Sequence, residues 1–328
     1  MKKLLLLLAL IATVITPLSA QTSQLATLLH DGNLSVYYGA TALKDAHEAA
    51  VAGDVITLSA GQFNACNLTK PLTIRGAGMG LTEVDDFVAP TVITGDFYLN
   101  IPEDPDHYLL LEGIQHNTTL TVRSLYNGQF IKCVLGEVLM YSTKTAVMKD
   151  AKFIHCDIRT CLNGSGYDMS FSATNSHIKL DTFLSNITAN YQNCFIETPT
   201  TIYKSLFNNC IIKAVGTSKS TQLHGGCTAF YCVWYGGGVK QPFPYETASG
   251  TNTRLDHENV FKDGTFYELT DEIKALKTSD GTQVGIYGGN MPFEQTTTVP
   301  QISKFSVAPK TSADGKLSID IEVEGIKH

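Results

Sequence analysis

One pattern constrains this chain more than any other: an aromatic residue followed two or three positions later by cysteine. It recurs as Phe130-Ile-Lys-Cys133, Phe153-Ile-His-Cys156, Tyr191-Gln-Asn-Cys194, Phe207-Asn-Asn-Cys210 and Phe230-Tyr-Cys232. The steps from Ile114 to Cys133, Cys133 to Cys156, Cys194 to Cys210 and Cys210 to Cys232 are of similar length. Their period of roughly 20 is one turn of a parallel β-solenoid, whose coils each supply about three short strands. No single coil can bury its own apolar interior, so several must stack and the ends need caps. Cysteine at a repeated interior position reads as a small buried side chain and a free thiol. Cys156 with Cys161, and Cys227 with Cys232, are the pairs close enough in sequence to be disulfide candidates. No Cys-x-x-Cys occurs, so neither a zinc site nor a redox site is supported, and no metal is assigned.

The N-terminus carries a different signal. Lys2 and Lys3 precede an apolar run from Leu4 to Val14, then Pro17, Ser19 and Ala20, the basic, apolar, small-residue order of a secretory signal peptide cleaved after Ala20. The run is too short to span a bilayer, which needs about 20 apolar residues. Gln21 stands where a lipid-anchored bacterial protein would need cysteine. The expectation is a protein secreted to the periplasm, the outside or the cell surface, with no membrane span. Lys and Arg number 24 against 31 Asp and Glu, a net charge of −7. That balance argues against nucleic acid as a partner.

The chain between these features fits the solenoid. Ala40 to Ala52 places Leu43, Ala46 and Ala50 on one helical face, with Val51 beside them and Gly53 as the stop, and predicts an N-terminal capping helix. Brief strand-like runs follow at Val55–Leu58, Leu72–Arg75, Thr91–Ile93, Tyr108–Leu111 and Leu120–Arg123. The solenoid is expected over residues 21–294. Beyond it, in residues 295–328, Ile302–Val307 and Lys316–Val323 alternate apolar with polar around Ala313-Asp-Gly315, which predicts a hairpin with one apolar face. This tail reads as a cap, or as a sorting or attachment segment.

The stretch Ala42 to Gly80, ALKDAHEAAVAGDVITLSAGQFNACNLTKPLTIRGAGMG, resembles the opening of right-handed parallel β-helix proteins of the pectate-lyase-like superfamily. There a capping helix leads to Gly-Asp, a first strand, a Gly-aromatic turn (Gly61, Phe63) and a strand ending in Gly-x-Gly. Asp280-Gly-Thr-Gln-Val-Gly-Ile-Tyr-Gly-Gly-Asn-Met-Pro-Phe293 resembles the closing stretch of secreted β-helix proteins from Bacteroidetes-type bacteria. The resemblance implies an all-β, right-handed parallel β-helix. It does not fix a function, since that superfamily includes lyases, hydrolases, epimerases and non-catalytic surface proteins.

Three groups of residues carry candidate chemistry. Phe153-Ile-His-Cys-Asp-Ile-Arg159 and Asn175-Ser-His-Ile-Lys-Leu-Asp181 lie one period of the repeat apart. With Ile154, Cys156 and Ile158 inward, alternation sends His155, Asp157 and Arg159 outward. In the second segment it sends His177, Lys179 and Asp181 outward. Neighbouring coils would stack His on His, Asp157 beside Lys179 and Arg159 beside Asp181. Such a strip has the base and the cations a polysaccharide lyase needs for abstracting a proton beside a uronate carboxylate; its plainer reading is a solvated charge ladder. Against catalysis, Arg-x-Pro-x-x-Arg of the pectate lyases is missing, as are Asn-Thr-Asp, Gly-His-Gly and Arg-Ile-Lys of the polygalacturonase-like hydrolases. The second group is Trp234, Tyr235 and Tyr245 beside a Gly triplet, which could hold sugar faces or fill the interior. The third is the acidic loop residues Asp85-Asp86 and Glu103–Asp106, which could hold calcium but lack an EF-hand spacing; no organic cofactor is indicated. Gly76-Ala-Gly-Met-Gly80 lacks nucleotide-loop spacing and reads as a coil corner. The resulting expectation is a non-catalytic glycan-binding or adhesion protein, with a polysaccharide lyase and a purely structural surface protein as alternatives.

Overall fold

The computed structural model describes residues 24–80, 90–142, 145–163, 169–180, 187–215, 221–244, 251–276, 278–294, 301–307 and 319–324. The proposed signal segment, Asp85-Asp86, Asp181 and Tyr245 lie outside these residues.

Twenty-three of the described strands join in one sheet system, most of which coils as a parallel solenoid of about eight turns. One face stacks Val55–Leu58, Thr73–Arg75, Leu110–Glu112, Gln129–Ile131 and the end of Val147–Ile154, then continues through Met169–Thr174, Ile187–Gln192, Ser205–Asn208 and Thr228–Phe230. A sharp corner follows each of these strands. Beyond it a second face stacks Thr91–Thr94, the start of Ile114–Tyr126, Val134–Met140, Asp157–Asn163, His177–Leu180, Phe195–Thr198, Ile211–Ala214 and Val233–Gly236.

The corner explains the cysteine repeat. The residue before each interior corner position takes a left-handed backbone: Gly113, Lys132, His155, Asn175, Asn193, Asn209 and Tyr231, with φ between 45° and 64°. Its N–H donates to the last strand carbonyl of the next coil, as from Lys132 to Ile154 at 2.9 Å and from Asn193 to Asn208 at 3.0 Å. Asparagine tolerates this conformation better than most side chains, which accounts for three of the seven. The next residue then points inward: Ile114 in the first of these coils and a small side chain in the others. Cys133, Cys156, Cys194, Cys210 and Cys232 occupy that place, all free and buried. Each thiol is within hydrogen-bonding reach of the carbonyl two residues earlier. Ser176 fills the coil between Cys156 and Cys194 with the same bond to Thr174. Neither candidate disulfide exists, since Cys156, Cys227 and Cys232 are free thiols. Burial pushes the Cys156, Cys194 and Cys232 thiols well up, so these sulfurs are packing groups. Beside them the rings of Phe130 and Phe153, and of Tyr191 and Phe207, stack at 4.8 Å.

The N-terminal end is closed by an antiparallel hairpin, Leu25–His30 with Asn33–Tyr38, and a helix, Ala42–Ala49. The helix is shorter than the apolar pattern suggests and buries Ala42, Leu43, Ala46 and His47. Val51 lies beyond it and is exposed. Lys70 ends the helix by donating to the carbonyls of His47, Glu48 and Ala50, a favourable place for a cation. The tail forms the expected antiparallel hairpin, Gln301–Val307 with Ile319–Glu324.

Residues 255–294 leave the coil and lie back across the outside of the second face. Leu255, Val260, Leu269, Ile273, Val284, Ile286 and Phe293 form a second apolar core with Val134, Phe195, Ile211, Val233 and Tyr235. At about 25 cal/mol per Å² of apolar surface, such a layer is strongly held.

Candidate functional site

The strip predicted from residues 153–181 lies beneath this covering segment. Register pairs Asp157 with His177 and Ile158 with Ile178, two positions off from the His-on-His arrangement the sequence suggested. The corner supplies the reason. His155 is itself the left-handed corner residue, so its counterpart is Asn175, and the alternation restarts after it. Phe153, Cys156 and Ile158 therefore point inward, while Ile154 is only half-buried.

Along the second face the first outward position reads Val134, Asp157, His177, Phe195, Ile211 and Val233. It is an apolar row interrupted by one acid and one imidazole. Asp157 is 2% exposed and His177 4%. His177 Nδ1 lies 2.7 Å from Asp157 Oδ1; the carboxylate can only accept, so the imidazole donates. Tyr267 Oη is 3.3 Å from the same nitrogen. The imidazole lies almost flat on Phe195, centroids 5.0 Å apart, with the Tyr267 ring at 4.8 Å. Nε2 is buried without a hydrogen bond, with Glu197 Oε1 3.9 Å away. Arg159 donates from Nε to Asp157 Oδ2 at 2.8 Å, its side chain 44% exposed. Burial works against the Asp157 charge, but the hydrogen bonds and charges of His177 and Arg159 outweigh it and hold the carboxyl below its usual range. Burial also pushes the Tyr267 phenol up. Lys179 sits one step further along, beside Glu197 in register. Asp157 therefore meets His177 rather than Lys179.

The corner ladder is what holds the cover down. Lys132 Nζ faces Glu294 at 3.9 Å. His155 Nε2 reaches the Met291 carbonyl at 3.0 Å. Asn175 Nδ2 donates to the carbonyls of Ile286 and Gly288 at 2.8 and 2.7 Å. Asn209 Oδ1 accepts from the Ser279 N–H and hydroxyl at 3.0 and 3.1 Å. A Cβ on Gly289, where φ is +76°, would collide with the Asn193 amide. The segment Asp280 to Phe293 is thus a clamp that runs back along the corners. The Asn-Cys and Asn-Ser dipeptides were visible in the repeat, but nothing local says that their side chains bind a segment so much later in the chain.

His155 carries a pH dependence. Burial lowers its pKa, and the bond to the Met291 carbonyl, which favours a protonated ring, offsets part of that, with Lys132 lowering and Glu294 raising it further. Its folded value lies below an unfolded value of about 6.5. As pH falls below about 6.5 the unfolded chain takes up the proton first, so stability declines from there down through the folded value. His155→Asn, which keeps a residue suited to the corner, should flatten this part of the melting-temperature profile; an unchanged slope would assign it to other groups.

Trp234 and Tyr235 are buried on opposite sides of their strand. Trp234 is wholly buried in the solenoid interior, its Nε1 donating to the Gly237 carbonyl at 3.1 Å. Its ring has no face free for a sugar. Tyr235 is 3% exposed beneath Phe261, with Lys213 5.9 Å from its ring centre. Among the described residues no cluster of His, Cys, Asp and Glu has the shape of a metal site. No family model, curated protein or solved structure matches the chain.

Proposed function

We propose that this chain is a secreted, non-catalytic binding protein of the right-handed, pectate-lyase-like kind, acting on glycan at or outside a bacterial cell surface. The observation that carries the non-catalytic part is the fate of the strip. Its one imidazole with an acid partner is 5% exposed at the side chain, and Tyr267 lies against it. A base that abstracts a sugar proton must come within hydrogen-bond reach of it. Here both ring nitrogens are shut in and the adjacent carboxylate is committed to Arg159. The glycan part is supported by the resemblance of both ends of the solenoid and by the flat outer faces that stacked parallel strands offer a polymer.

The test is a panel of neutral and uronate polysaccharides presented to residues 21–328, with and without calcium, reading retention and ultraviolet-absorbing unsaturated product together. Retention without product is expected. Product would make the chain a lyase, and neither response would leave a structural surface protein.

A further inference from the structure

Three of the four arginines are committed to carboxylates: Arg75 to Glu112 at 2.9 Å, Arg159 to Asp157 at 2.8 Å, and Arg254 to Asp256. Arg123 differs. Among the described residues it meets no carboxylate. Its guanidinium instead lies between two tyrosine rings, 5.2 Å from the centre of Tyr98 and 4.4 Å from that of Tyr141. The three come from successive coils: Tyr98 from Phe97–Asn100, Arg123 from Ile114–Tyr126, and Tyr141 just after Val134–Met140. The tyrosines lie two coils apart, with Tyr141 two residues further along than Leu139, the position in line with Tyr98.

Local backbone geometry singles out Arg123. The register between the first two of these strands slips between Val122 and Ser124, so Arg123 is the extra residue of a bulge. Bulges re-aim a side chain, and they concentrate beside functional sites. Here the result is an exposed cation standing above a flat sheet face, with half-buried tyrosines on both sides. Asn67 and Thr121 stand beside Tyr98 in register, and Leu139 stands beside Thr121. The rings hold the guanidinium by cation–π contact, and among the described residues no carboxylate occupies its N–H groups.

We propose that Tyr98, Arg123 and Tyr141 form a subsite for an anionic sugar unit, one carrying a carboxylate or a sulfate, within a polysaccharide. A planar fork of donors matches either group in two-point fashion. Tyrosine rings bury the C–H faces of the adjoining sugars at low entropic cost. A chain of net charge −7 repels polyanions in general, so retention of one would depend on a local recognition point. This inference rests on the glycan-binding reading and adds the ligand class and the place.

Affinity electrophoresis of residues 21–328 through polygalacturonate, dextran sulfate and unsubstituted dextran tests it. Retardation by one of the anionic polymers and not by dextran is expected, and the polymer that retards identifies carboxylate or sulfate. Arg123→Ala should weaken it about tenfold or more. Arg123→Lys, a point charge without the fork, should fall between. Tyr98→Ala and Tyr141→Ala should each weaken it, with unchanged melting temperatures showing that the coils are intact. Equal retardation of Arg123→Ala and wild type would refute the subsite and leave glycan binding standing. So would retardation by dextran alone. No retardation by any polymer would overturn the subsite, and with silence across the wider panel the glycan reading too.

Discussion

Replacing Asp157 with alanine is expected to lower the unfolding free energy by about 3–5 kcal/mol, read as a shift in the urea midpoint at unchanged slope. The side chain is 3% exposed, so solvent screens little of the loss. Removing it strands the His177 imidazole between Phe195 and Tyr267 with neither ring nitrogen facing an acceptor as close as the lost carboxylate. Arg159→Ala should cost far less, about 0.5–1 kcal/mol, because that side chain is 44% exposed and solvent screens its pair. The informative variant is the double one. The row that contains the pair reads valine before it and phenylalanine after it, Val134 and Phe195. Asp157→Val with His177→Phe continues that apolar row, and replacing both members of a buried pair by packed hydrocarbon is often neutral or stabilising. The double variant should therefore recover most of the loss and keep its glycan retention. A single-variant cost below about 1 kcal/mol, the range of exposed pairs, would mean that water reaches the pair. Lost retention in a stable double variant would mean that the pair serves the ligand. Acid should mimic the single variant: the folded pKa of Asp157 is depressed, so its contribution is complete above the unfolded value of about 3.9 and disappears as pH falls through the folded one.

The solenoid was legible because its signal is local and repeated. Every Phe-x-x-Cys segment contains the whole corner: the interior ring, the left-handed residue and the small interior side chain. The register of the strip was not legible, because strand alternation does not run through His155, whose φ is +52°. A left-handed residue restarts the count, so Asp157 meets His177 and not Lys179. Recognising Ser176 as the serine member of the cysteine series would have fixed this, since it aligns Cys156 with Ser176 and hence Asp157 with His177. Burial of the strip was out of reach for a different reason. Outward-facing His and Asp on a strand imply solvent unless something covers them, and the cover comes from residues 255–294. Asp280 to Phe293 was legible as a closing stretch by resemblance. Its role as a clamp depends on pairing with side chains from much earlier in the chain, from Asn209 with Asp280 to Lys132 with Glu294. The Tyr98, Arg123 and Tyr141 stack has no local signature either: three residues on three coils, brought together by a bulge that no spacing announces.

If the clamp holds the cover, Asn175 is where it should fail most visibly. Its amide donates to two carbonyls of the cover, those of Ile286 and Gly288, in buried bonds, and its backbone φ is +45°. Asn175→Ala removes both bonds, and each carbonyl left without a partner costs about 1–3 kcal/mol. It also places alanine in a left-handed conformation that costs about 1–2 kcal/mol. Asn175→Gly removes only the bonds, since glycine adopts that backbone freely. The expected order of stability is therefore wild type, then glycine, then alanine, with Asn175→Asp below glycine because a carboxylate would face two carbonyl oxygens. Hydrogen exchange should locate the loss: amides in 255–294 exchange faster, while the strands Ile187–Gln192 and Ile211–Ala214 stay protected, because the interior core does not pass through the cover. Equal effects of alanine and glycine would remove the backbone contribution, and unchanged exchange would show that Asn175 does not pin the segment. The same variant also decides between the two meanings of the buried strip. Loosening the cover brings Asp157 and His177 towards solvent, beside Arg159 and Lys179. With a purely architectural pair, Asn175→Ala yields no unsaturated product from any uronate polymer. Product from this variant and not from wild type would instead make residues 255–294 a lid over a lyase site.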